Sequence, residues 1–272
     1  MIIGPACLEG ECPSPAPLNR EIDPQQLVAA GLQPWSFKGE PVGWVSPKLL
    51  PFFQGQLDLN ERGLESLEQR IRQGALAAGL KGWRDERQRL IGASGQVIFG
   101  DHGRPVALER SLFRPLGLLA QSVQLNARAT SNRYWVARRA LQKAIDPGLW
   151  DTCVAGGLPW NETPDQAIQR EAREEAGIHG FAPESLRLWG LVRVARMVEK
   201  LLHIERVWVY EWDAPSDWQP RPEDDEVMAV DCWSIADVRV AWLEGRFNHE
   251  AAAGLLAPVA SIDGVADLSR PA

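Results

Sequence analysis

The chain has 272 residues, 45% hydrophobic and 24% charged, which is globular usage with enough length to bury a core without disulfide staples. Lys plus Arg number 29 against 36 Asp plus Glu, a net charge of −7, so there is no phosphate-neutralising excess for general nucleic-acid binding. No apolar run approaches the ~20 residues of a membrane span, and the acidic, Pro-rich start has no basic leader, so a cytoplasmic protein without nucleic-acid or membrane partners is expected.

Residues 1–20 are rich in Pro, Gly and Glu and are expected to form a flexible arm. A helix is expected from Asp23, with Pro24 suited to the first helical position. Trp35–Val45 alternates turn residues and aromatics and predicts a hairpin. From Asn60 to Ala78 the spacing of Leu64, Leu67, Ile71 and Ala75 predicts an amphipathic helix. Short strands are expected at Arg89–Ile91 and Val97–Phe99. Residues 21–115 therefore read as an α+β domain with no internal repeat.

A second domain is expected over 116–260, followed by a tail at 261–272. Leu118–Asn126 and Tyr134–Arg138 predict two strands separated by polar Arg128–Arg133. A short strand at Cys153–Ala155, a loop at Gly156–Asn161 and a helix from Pro164 to Ala176 follow. Strands are then expected at Leu186–Ala195, Ile204–Trp212 and Val227–Trp233. Helices at Ile235–Glu244 and Glu250–Val259 complete the pattern. Strands on both sides of one central helix predict an α/β/α sandwich with a mixed sheet.

Four cysteines, Cys7, Cys12, Cys153 and Cys232, lack the His partners of a zinc set, so structural or incidental thiols are expected. The twelve tryptophans are assigned mainly to packing. His203 and His249 show no partner in the sequence and receive no role.

Chemistry concentrates in Gly156–Ile178, GGLPWNETPDQAIQREAREEAGI. Thr163, Pro164 and Gln166 make a capped helix start, and Gly177 suits a left-handed stop. Glu174 and Glu175 follow Glu171 by three and four residues, so the three carboxylates share one helical face. Like charges there repel by a few tenths of a kcal/mol per pair, and a bridging cation reverses the sign. Hard oxygen donors favour Mg2+ or Mn2+, ions completed by substrate phosphates, and a metal-bound water near a phosphate suits metal-assisted hydrolysis.

The segment fits G-x5-E-x7-R-E-U-x-E-E-x-G-U, with Gly156, Glu162, Arg170, Glu171, Glu174, Glu175 and Gly177 in place. Seven fixed positions arise by chance in about one chain per million of this length. This is the Nudix box, and the chain resembles Nudix hydrolases; Ala172 stands where a larger aliphatic residue is usual. The resemblance implies hydrolysis of diphosphates, with Glu171, Glu174 and Glu175 as metal ligands and Glu171 or a later acid as general base. It also implies that Arg170 and Glu162 brace the loop against the helix. Glu226, with Asp224 and Asp225 close behind, is the first choice for a further metal ligand.

Outside the box, GEPVGWV, GWRDE, ERSLFRPLGLLAQSVQLNA, YWVARRALQKAIDPGLWDTCVAGGLP and ERVWVYEW resemble a Nudix group fused, in some fungi, to thiamine pyrophosphokinase. That group carries an extra N-terminal domain and implies cleavage of oxidised thiamine diphosphate to the monophosphate and phosphate, a housecleaning role. FNHEAAAGLLAPVAS departs from the group's longer segment. Trp160 is a candidate to stack on a heterocycle, and Arg138, Arg139 and Lys143 are candidates for the diphosphate. A nucleoside-diphosphate-linked substrate is an alternative. Another is a Nudix-fold isopentenyl-diphosphate isomerase using Cys153, although VAGG stands where that enzyme has Cys-Gly-His. Monomer and homodimer both remain open.

Overall fold

A computed structural model describes residues 22–74, 80, 82–143, 145–182, 184–222 and 225–256. The expected N-terminal arm and C-terminal tail lie outside the described residues. The first unit starts with α1 (Pro24–Ala29), where the Asp23 side chain accepts from Gln25 N. β1 (Gln33–Phe37) and β2 (Glu40–Val45) form the expected hairpin. Next come α2 (Leu50–Phe53), β3 (Asp58–Leu59) and α3 (Glu61–Gln73), then β4 (Arg87–Arg89) and β5 (Ala107–Glu109).

Two expectations shift here. The α3 helix stops at Gly74, whose N–H bonds to Arg70 O, and residues 75–79 lie outside the described residues. The expected strands near residues 90 and 98 are only isolated bridges, Ile91 with Val97 and Phe99 with Pro105, so pairing passes to β4 and β5. Backbone groups in such a Gly-rich stretch pair where tertiary neighbours allow, which spacing does not encode. The core of this unit packs Leu64, Leu67 and Ile71 of α3 against Trp35, Phe37, Leu108 and Leu112.

The second unit contains β6 (Leu119–Thr130), β7 (Arg133–Arg139), β8 (Trp150–Thr152), β9 (Val154–Gly157), α4 (Pro164–Ala176), β10 (Leu186–Val198), β11 (Leu201–Asp213), β12 (Val227–Ser234), α5 (Ile235–Leu243) and α6 (His249–Leu256). The sheet order is β10-β11-β6-β7-β12, with β8 beside β7 and β9 beside β6. Only β11 and β6 run parallel in it, so the sheet is mixed as expected.

Period-two alternation sorts the faces. Val123, Leu125 and Ala127 pack with Ala167, Ile168, Ala172 and Ala176 of α4. Their neighbours Gln124 and Asn126 point the other way, bonding to Ala251 O and Gly254 O of α6. Val136, Val238, Ala241 and Ala252 fill that second face. The sheet is thus covered on both sides, an α/β/α sandwich beside an α+β unit. No helix among the described residues is long and apolar enough to cross a membrane.

Candidate active site

The site lies where β9 meets α4. Thr163 and Gln166 form the expected reciprocal capping box, and Gly177 ends α4 at φ +66. The helix is therefore fixed at both ends. Its apolar side is buried against the sheet, so Arg170, Glu171, Glu174 and Glu175 line the face toward β9 and the cleft.

Arg170 organises this face. Its Nε lies 3.0 Å from Glu162 Oε1, and its Nη1 lies 2.8 Å from Glu171 Oε1 and 3.3 Å from Glu174 Oε2. Nη2 reaches Glu162 Oε2 at 3.1 Å and Gly157 O at 3.4 Å. Burial draws the guanidinium down in pKa, but Glu162 and Glu171 outweigh it and hold Arg170 above its ordinary value. A planar fork with several donors suits this bridge between loop and helix.

Glu171 and Glu175 are the strained carboxylates electrostatically. Burial pushes the Glu171 carboxyl up, opposed chiefly by Arg170. Burial also pushes Glu175 well above the carboxylate range, and Glu171 adds to this; the Ala155 N–H, 2.8 Å from Glu175 Oε2, works the other way. A Cβ at Gly156 would stand 1.8 Å from Glu171 Oε1, so a side chain there would displace the carboxylate. Two desolvated carboxylates that disfavour each other's charge form a donor set a hard divalent cation would relieve. The residues present fit such an ion.

The surroundings form a cleft of about 1040 Å³ bordered by both units. Glu226, Lys143, Arg139 and Trp160 all border it along with Glu171, Glu174 and Glu175. Lys143 is paired to Glu226 through Nζ and Oε2. Arg139 Nη1 is 2.9 Å from Asp151, a buried carboxyl that the sequence reading did not single out. Trp160 is 37% exposed, enough to offer a ring face to a ligand. Arg138 is not brought together with these residues; its Nε bonds to Gly148 O at 3.0 Å. Asp225 is exposed, and Asp224 lies outside the described residues.

The first unit grips the loop between β9 and α4 directly. Trp160 N donates to Arg87 O at 3.0 Å, while Arg89 Nε and Nη2 donate to Trp160 O and Glu162 O at 2.6 and 3.3 Å. Gln88 exchanges two hydrogen bonds with the Gln121 backbone. Arg84, Arg87, Arg110 and Arg114 border the cleft from this side. No local motif marks these residues, because their role depends on how the two units dock.

A second ionic cluster lies on the sheet's other face. His203 Nε2 is 3.1 Å from Glu205 and 3.0 Å from Glu250, and Arg196 Nε is 2.9 Å from Glu250. His203, Glu205 and Glu250 have metal-ligand chemistry, with ligand atoms within 4.8 Å of one another. Burial lowers the His203 pKa, but the two glutamates raise it overall to about 9. Its imidazolium and Arg196 already neutralise the two acids, so the cluster is complete as an ion network.

The span 121–252 matches the NUDIX domain family. This segment is a NUDIX domain. Nudix hydrolase 20, chloroplastic, of Arabidopsis thaliana is 27% identical over 135 residues, 48% of this chain and 36% of that protein. An isopentenyl-diphosphate Delta-isomerase of Dinoroseobacter shibae is 34% identical over 96 residues, 35% of this chain and 53% of the isomerase. The chain thus spans only about a third to a half of these relatives. A solved protein of Deinococcus radiodurans overlays with a TM-score of 0.46 and 19% identity, covering 62% of this chain and 97% of that one.

Proposed function

We propose that the NUDIX domain hydrolyses the diphosphate linkage of a small organic diphosphate, with Mg2+ or Mn2+ held by Glu171, Glu174 and Glu175. The reading rests on one observation above others. Glu171, with room left for it by Gly156, and Glu175 are desolvated together, and burial pushes both carboxyls up in the metal-free protein. The bound ion supplies Lewis-acid polarisation of a phosphoryl oxygen and lowers the pKa of water.

The chain's own residues perform the remaining work. Arg170 fixes Glu162, Glu171 and Glu174 as a unit, which holds the ligand oxygens in place before substrate arrives. Glu171 or a later acid takes the proton from attacking water, and the Ala155 N–H holds the Glu175 carboxylate in place. Glu226 enters from the β7–β12 side with Lys143, a source of one further oxygen ligand. Trp160 offers a stacking face, while Arg139 and Lys143 favour an anion nearby.

The substrate class follows from resemblance to the thiamine-linked Nudix group. Oxidised thiamine diphosphate, cleaved to the monophosphate and phosphate in a cytoplasmic housecleaning role, is the first candidate. The domain boundary near residue 116, and a monomeric or homodimeric state, belong to the same reading. A panel of oxothiamine, thiamine, nucleoside and dinucleotide diphosphates with Mg2+ tests it, reading phosphate and monophosphate release in 18O-labelled water. Label on a phosphate product supports hydrolysis. A nucleoside substrate tenfold better in kcat/KM than any thiamine derivative, about 1.4 kcal/mol, removes the thiamine assignment.

The isomerase reading draws on the similarity to the Dinoroseobacter enzyme. Against it, Cys153 is 1% exposed and burial pushes its thiol far up, the character of an inert core cysteine. Formation of an allyl isomer without 18O uptake would restore it.

A further inference from the structure

We infer that Arg110, supplied by the N-terminal unit, binds an anionic oxygen of the diphosphate across the cleft from the box carboxylates; this rests on the hydrolase reading of the same site. Arg110 starts a 3-10 turn at Arg110–Leu112, directly after β5. The turn is tightly placed. Arg110 N donates to Glu86 O at 2.7 Å, and buried Glu109 accepts from Arg84 N and Ser111 N while its own N–H meets Glu68. The guanidinium therefore projects from a rigid base, as a binding group must.

Its reach is set by a glycine in the other unit. A Cβ on Gly157 would lie 3.0 Å from Arg110 Cζ and 3.2 Å from Nη1, so the bare backbone of β9 admits the guanidinium beside the box. Gly156 makes room for Glu171 on the same strand, and Gly157 makes room for Arg110. Arg110 and Gly157 border the same cleft as Glu171, Glu174 and Glu175.

The cleft's other cations are engaged differently. Arg170 holds three carboxylates, Arg139 pairs with buried Asp151, and Lys143 pairs with Glu226. Arg87 pairs with Glu68, and Arg114 turns to His203; Arg84, which also borders the cleft, has no glycine of β9 opposite it. Arg110 pairs with Glu86, with side chains 38% and 52% exposed. An ion pair that open contributes little, so a diphosphate oxygen can replace Glu86 at small cost. An Arg fork then gains two charge-assisted hydrogen bonds to phosphate. The N-terminal unit is thereby part of the active site, and it selects ligands whose diphosphate can lie between Arg110 and the metal-binding helix.

The test uses the full chain and methylenediphosphonate, a non-hydrolysable diphosphate, titrated calorimetrically with Mg2+. Arg110→Ala is expected to weaken binding about 10- to 100-fold, with the melting temperature within ~2 °C of wild type. Arg110→Lys should recover part of the affinity, and Glu86→Gln should bind at least as tightly as wild type. In turnover, Arg110→Ala should raise KM more than it lowers kcat. Binding by Arg110→Ala within twofold of wild type overturns the inference, as does a wild type that does not bind the analogue. A fall in melting temperature above ~5 °C in both Arg110 variants assigns the residue to structure instead. A chain that binds the analogue through Arg110 but cleaves no diphosphate refutes the hydrolase reading alone. Normal cleavage by Arg110→Ala refutes the Arg110 role alone.

Discussion

Replacing Gly156 with Ala tests the site at its tightest point. The added methyl would stand 1.8 Å from Glu171 Oε1, 1.9 Å from its carboxyl carbon and 2.4 Å from Oε2. To regain the ordinary 3.4 Å contact, the carboxylate or β9 must retreat by about 1.6 Å. Glu171 is the flexible partner, but it is tied to Arg170 at 2.8 Å, so its retreat disturbs the bridge to Glu162 as well. A displacement of ~1 Å in a reacting constellation costs about 100-fold in rate, or roughly 2.7 kcal/mol. Overpacking of this kind typically destabilises by about 1–3 kcal/mol, or ~2–10 °C in melting temperature for a domain of this size. Initial rates on the best substrate of the panel at saturating Mg2+, beside thermal unfolding, read both effects. The Gly156→Ala protein should stay folded and lose at least ~100-fold in kcat. A rate within threefold of wild type would show that Glu171 is free to move without consequence, and the site reasoning would fail.

Glu175→Gln should reduce turnover by at least ~100-fold while raising the metal-free melting temperature, because it removes a charge that burial and Glu171 both oppose. Retained turnover, or a lowered metal-free melting temperature, counts against this. Arg170→Ala should lower both rate and stability, and Arg170→Lys should not restore the rate, since a single ammonium cannot span Glu162 and Glu171 as the fork does. A fully active Lys variant would sink the bracing role. His203, facing Glu205, Glu250 and Arg114, has its folded pKa raised from 6.5 to about 9. Its stabilisation is complete below about 6.5 and is lost as pH rises through about 9, on the order of 3 kcal/mol. Urea unfolding at pH 6.5 and 9.5 should show that loss in wild type and a flatter profile in His203→Gln; parallel profiles would contradict it.

Local chemistry made much of the second unit readable from the chain. Thr163, Pro164, Gln166 and Gly177 fix the ends of α4 through groups within that helix's own turns, so spacing alone locates it. The shared face of Glu171, Glu174 and Glu175 follows from the same periodicity, and the β-branched and aromatic run of β11 announces a strand. Weak local signals fared worse. The stretch around residues 87–109 pairs as β4 with β5 because of its neighbours, and β8 is only a three-residue strand beside β7.

What folding alone decided is who meets whom across the chain. Arg170 with Glu162 was expected from the resemblance to the Nudix box, and the fold brings the pair together. Arg110 beside Gly157, Arg89 on Trp160 O, Arg139 on Asp151 and Glu250 on His203 join segments that no periodicity relates. His203 illustrates the limit: in sequence it is a solitary histidine, and in the fold two half-buried glutamates hold its pKa up. The sequence determined the carboxylate-bearing helix, because helical geometry couples residues three and four apart. Tertiary structure determined the cleft and its charge balance, because those depend on desolvation and on contacts between units, which exist only once the chain is packed.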